Sequence, residues 1–136
     1  MKLLIGLVLA IAAYVLVGAT LVLLVQALWP GALPIAGQGP AGLGPLLADL
    51  GVQCIACLVA GACAMAPSGQ RLRPALIGVG GPVLGITAVT TIAAWSVMPG
   101  WYDVCVLALT FPCFAMGAAW RHAVRTAAIS TSYRAT

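Results

Sequence analysis

The sequence predicts an all-α polytopic membrane protein: four transmembrane helices in an up-down bundle, with the N and C termini cytoplasmic. Three observations carry this. Of 136 residues, 63% are hydrophobic and 6% charged, whereas soluble domains carry about 25% charged residues. Four apolar runs approach or exceed the roughly 20 residues that a crossing needs, and together they use nearly the whole chain. The six bases all fall on one side of a four-span threading. The whole chain, 1–136, is therefore expected to be a single transmembrane domain, with the lipid bilayer as its first partner.

The first span is expected over about 3–28. Lys2 followed by "LLIGLVLAIAAYVLVGA" imitates a secretory signal. Signal h-regions are about 7–15 residues long, and this run continues unbroken to Leu28. It reads as a retained, uncleaved span. The link over 29–45, "WPGALPIAGQGPAGLGP", holds four prolines, five glycines and no charge. Pro and Gly punctuate against regular structure. An irregular segment at the outer interface is expected, with a docking loop as the functional alternative.

The second span is expected over about 46–66. The link "PSGQRLRP" carries Arg71 and Arg73. The third span follows over about 75–98 and the fourth over about 104–120. Arg121, Arg125 and Arg134 come after it. The links around Trp29–Pro45 and Pro99–Asp103 contain no Lys or Arg. Positive charge stays on the cytoplasmic side, so both termini and the Arg71/Arg73 link are placed there. A three-span threading would divide the bases between the two sides. The same placement explains the net charge of +4 without nucleic acid. Trp29, Trp95, Trp101 and Tyr102 cluster at the expected outer ends and Trp120 at an inner end, where amphipathic rings favour the headgroup level.

The stretch "DLGVQCIACLVAGACAMA" contains a C-x-x-C at Cys54 and Cys57 and a third cysteine at Cys63; Cys105 and Cys113 fall in the fourth span. At about 100° per residue Cys54 and Cys57 share a helix face, while Cys63 lies about 180° from Cys54. The only histidine is His122. A tetrahedral zinc site wants four N or S ligands, so no metal is expected. Redox work by Cys54 and Cys57 is the catalytic alternative. A C-x-x-C in the outer part of the second of four spans is faintly similar to the quinone-coupled membrane disulfide-bond oxidases. Those enzymes also use a cysteine pair in an outer loop, and the outer links here have none. Cysteine otherwise behaves as a small hydrophobe. With Ala56 and Ala60 it makes a face on which membrane helices can approach.

"GVGGPVLG" lies inside an apolar run, with no strand before it to make a phosphate loop. Gly81 and Gly85 form a G-x-x-x-G, expected to be a packing face. Pro82 and Pro112 are expected to bend their spans. Thr87, Thr90 and Thr91 fall on one stripe, each expected to satisfy itself on a carbonyl four residues back. Asp49 and Asp103, the only acids, are expected in the first turn or cap of helices entering from outside, where a carboxylate meets free N–H groups and the helix dipole. On this placement no acid lies deep in a span. Tyr14, Gln26 and Gln53 alone outline no path, which argues against a proton-coupled exporter.

No nucleophile has a base in reach and no cofactor is expected. The sequence thus points to a small integral membrane protein acting as a structural or accessory component, associated with another integral membrane protein or with itself. The alternatives are a thiol-disulfide oxidoreductase at Cys54 and Cys57, and a pore or carrier for a small neutral or lipidic solute. The Ala- and Gly-rich usage suggests a bacterium, hence its inner membrane.

Overall fold

The computed structural model of the chain describes residues 1–30, 33, 42–67, 71–94 and 98–134. Most of the Pro/Gly link 29–45 and Trp95 lie outside them. All regular structure among the described residues is helical: α1 (Lys2–Leu28), α2 (Leu43–Ala64), α3 (Leu72–Ala75), a π-helical turn (Leu76–Gly80), α4 (Gly81–Ala94) and α5 (Gly100–Arg134). Four stretches are long and apolar enough to cross a membrane: Lys2–Leu28, Leu43–Ala64, Leu72–Ala93 and Gly100–Ala128. The molecule is a multi-pass membrane protein by length and composition.

Each helix boundary has a local cause. α1 has no proline within it and runs until the Trp29 N–H reaches the Val25 carbonyl at 2.8 Å. α2 begins at Leu43, ahead of the expected Leu46. Pro45 does not delay it, because the first turn has no intrahelical use for an N–H. α3, the π-helical turn and α4 follow one another without a break. Pro82 has no N–H and its ring crowds the carbonyl four residues earlier, and the widened turn at Leu76–Gly80 lies directly ahead of it. α5 has 35 residues. At 1.5 Å per residue it is about 52 Å long, well beyond a hydrocarbon core of about 30 Å. It accepts Pro112 internally and carries the basic stretch from Arg121 onward as continuous helix.

α2 and α5 form the closest seam. A methyl group built on Gly61 would lie 2.0 Å from the Phe114 carbonyl oxygen, and one on Gly117 would lie 1.9 Å from that of Leu58. The two backbones therefore touch, each through a glycine that has a cysteine four residues before it, Cys57 and Cys113. This is the small-x-x-x-small pattern by which membrane helices approach. Gly81 and Gly85, the expected packing pair, have no neighbour within 4 Å of a built methyl. Ala56 and Ala60 are buried, at 1% and 0% exposure.

Arg125 fastens the same seam at its basic end. Its Nη1 donates to the carbonyls of Met65 at 2.6 Å and Pro67 at 3.1 Å, and its Nη2 to that of Ala66 at 2.6 Å. These bonds cap the carbonyl end of α2 with a positive charge, the favourable sign there. The main apolar core joins all four spans near this end: Ala10, Ala60, Ala64, Val79, Val83 and Phe114. A smaller cluster of Leu46, Tyr102 and Val106 stands apart, at the start of α2 and α5.

Candidate functional site

Beside the smaller cluster, whose Tyr102 and Val106 form part of its wall, α2, α4 and α5 leave a cavity of about 200 Å³. α2 contributes Asp49 and Gln53, α4 contributes Thr87, Thr90 and Thr91, and α5 contributes Tyr102 and Asp103. Met98 and Val106 complete the wall. Both acids of the chain thus meet the polar side chains of three helices in one place.

The acids do not act as the expected caps. Because α2 starts at Leu43, Asp49 lies in the second turn, past the free N–H groups. The Tyr102 hydroxyl donates to its Oδ2. Asp103 does fall in the first turn of α5, but it turns inward and is only 1% exposed. No backbone N–H bonds to it among the described residues, and its Oδ2 is buried without a hydrogen-bond partner. Asp103 is therefore buried among side chains at the start of α5, where the sequence reading placed it, and not deep along the span. An unpaired buried polar atom costs roughly 1–3 kcal/mol, and more when charged.

The surrounding polar groups are oriented by local bonds. Thr87 Oγ1 donates to the Val83 carbonyl at 3.0 Å. Thr90 Oγ1 is within reach of the Ile86 carbonyl at 3.1 Å and the Thr87 carbonyl at 2.9 Å. Thr91 has no such bond among the described residues, although it is 7% exposed. Gln53 Nε2 donates to the Tyr14 hydroxyl of α1, which also sits beside Thr87. Among the described residues no Lys, Arg or His lines the cavity.

The cysteines gather elsewhere. Cys54 and Cys57 both stand near Cys113, and Cys57 near Thr110. All five cysteines are free thiols. The C-x-x-C is thus part of the α2/α5 seam, with a third thiol across it. Among the described residues no three His, Cys, Asp or Glu side chains are placed to hold a metal ion. The aromatic residues divide. Trp29, Trp101 and Trp120 are 72%, 45% and 66% exposed, whereas Tyr102 is buried at 7% and serves Asp49 rather than a membrane surface. Trp101 meets its ring edge-on, with centroids 6.1 Å apart.

The roles of Asp103 and Arg125 were missed in the sequence. For Asp103 the available signal was its rarity: one of two acids in a chain of lipid-facing composition. Comparison with known protein families, curated proteins and solved structures found no match.

Proposed function

We propose that this is a bacterial inner-membrane protein that binds a small polar solute inside the bilayer, as a carrier or a receptor. The observation that carries the reading is Asp103, an ionisable group buried at the start of a membrane span and facing a cavity without a partner. A buried polar group without a partner is costly, and convergent polar groups in a cavity mark a ligand site. The binding reading stands ahead of the accessory role, because the accessory role rests on the lack of an ionisable cluster, whereas Asp49 and Asp103 line one cavity. The solute is taken as polar rather than lipidic, since two carboxylates, an amide and four hydroxyl side chains converge on the cavity.

The threading proposed with it is up-down, with the termini and the Arg71/Arg73 link cytoplasmic. It is supported by the placement of the six bases and by contacts in step along α2 and α5: Asp49 with Tyr102, Gly61 with Phe114, and Met65 with Arg125. The cavity then opens toward the outer half of the bilayer. The test is a thermal-stability screen of the full chain in nanodiscs against small polar solutes. A ligand that binds the folded state raises the midpoint. Specific hits that vanish when the cavity is filled by Thr91→Leu support the reading; hits that survive the filling, or none at all, refute it.

The accessory role keeps a second place on one observation. α1 buries only Gly6 and Ala10, leaving a long apolar face for lipid, another integral protein or a second copy. Native mass spectrometry from mild detergent decides this: a homo-oligomer or a stoichiometric membrane partner supports it, and a bare monomer counts against it.

A further inference from the structure

The polar atoms that line the cavity are mostly hydrogen-bond acceptors, and from this we infer that its ligand is a small organic cation bearing N–H donors, a primary ammonium, with Asp103 as its counter-ion. This rests on the solute-binding reading and specifies the ligand's chemistry.

The hydroxyl protons nearest the cavity are already engaged. Thr87 and Thr90 donate to carbonyls of their own helix, and Tyr102 donates to Asp49. A hydroxyl carries one proton and two lone pairs, so each of these oxygens faces the cavity able only to accept. Gln53 turns its amide nitrogen to Tyr14, which leaves its carbonyl oxygen uncommitted. Asp49 has one oxygen bonded and one without a bond, and Asp103 has a buried oxygen without any partner. Among the described lining side chains only the Thr91 hydroxyl and the second Gln53 amide N–H retain a proton free to give. No cation among the described residues lines the space.

A neutral acceptor would find only Thr91 and one Gln53 N–H to accept from, and an anion would meet two carboxylates. A group with several N–H donors and a positive charge matches the wall, and Asp103, whose charge no protein group answers, is its natural partner. Size narrows the class. A cavity of about 150 Å³ takes benzene, so this one holds a molecule of roughly eight non-hydrogen atoms, far more than a bare metal ion occupies. Met98 and Val106 supply an apolar wall for a short alkyl chain.

The experiment is calorimetric titration of the full chain in nanodiscs of zwitterionic phosphatidylcholine, which offers the amine no anionic lipid. Propylammonium, tetramethylammonium and propan-1-ol are compared. Saturable one-site binding of propylammonium is expected, with tetramethylammonium and propan-1-ol each at least tenfold weaker. Asp103→Asn is expected to weaken propylammonium at least tenfold. Should that variant not be recovered folded, Thr90→Val removes a single acceptor and is expected to weaken binding two- to fivefold. Propan-1-ol binding in the cavity while propylammonium does not would overturn the cation and leave the solute-binding reading standing. Tetramethylammonium binding as tightly as propylammonium would overturn the donor match. Propylammonium affinity unchanged in Asp103→Asn would remove the counter-ion, and with it the inference. Binding of none of the three defeats the inference, while the wider solute screen still judges the parent reading.

Discussion

Asp103 holds two opposed roles at the residue scale. It costs stability while the cavity is empty and supplies attraction when a donor enters. Replacing it with an apolar residue of similar size should separate them. Asp103→Leu is expected to raise resistance to unfolding in micelles by roughly 1–3 kcal/mol, the cost of an unpaired buried polar group, while abolishing ligand binding. Unfolding curves by circular dichroism check the first half; an unchanged or lower midpoint would show that the carboxyl is satisfied in the membrane. Tyr102→Phe should act the other way. It strips Asp49 of its donor and is expected to cost about 1.5–3 kcal/mol, the range for hydrogen bonds to charged groups. None of this was legible from the chain alone. Asp49, Gln53, Thr87 and Asp103 come from three helices, and their convergence depends on rotations that hydropathy does not encode. A three-residue error in the start of α2 was enough to turn Asp49 into a cap.

At the scale of elements, the spans themselves were readable because burial in lipid demands long uncharged runs, and each run found its helix. The seam was half readable. Cys54 to Ala64 was recognised as a run of small residues suited to close approach, yet the glycine pair singled out, Gly81 and Gly85, faces open space. The contact lies instead at Gly61 and Gly117, each preceded by a cysteine at the fourth position. A small-residue pattern announces that a close face is possible; only the partner helix decides which one is used. Gly117→Ala is expected to destabilise the fold by roughly 1–3 kcal/mol or more, as overpacking does, because its methyl would meet backbone rather than a flexible side chain. Gly85→Ala, with no neighbour nearby, should be neutral or slightly stabilising in the same unfolding assay. The seam also brings Cys54 near Cys113. Mild oxidation is expected to join them, leaving Cys63 and Cys105 open to alkylation, as peptide mapping would show. A bond confined to Cys54 and Cys57 would overturn this expectation.

On the scale of the whole molecule, the two ends of the bundle are built differently. At the basic end Leu76 packs against two neighbouring apolar clusters, and Arg125 ties α5 to the carbonyls just past α2. Toward the other end the core is interrupted by oxygen-lined space. Arg125→Ala is expected to cost about 1.5–3 kcal/mol, given charge-assisted bonds to three carbonyls, and to loosen the α2/α5 pair. Faster hydrogen exchange at Ala62–Met65 would register it; unchanged protection there would show that the fork is dispensable. Reporter fusions after Arg73 and after Arg121 are expected on the same face of the membrane. The overall class was legible because so few charges leave few threadings open. The cavity was not, because it arises from where packing stops.

The pairing of α2 with α5 also sets an order of events during synthesis. α2 enters the bilayer well before the helix that covers its small-residue face has been translated, and in that interval Asp49 has no Tyr102 to bond it. The nascent chain must pass through a stage with a carboxylate and a bare glycine groove turned to lipid or to the insertion machinery. A ribosome stalled before Gly100 would therefore release a product that quality-control proteases can recognise.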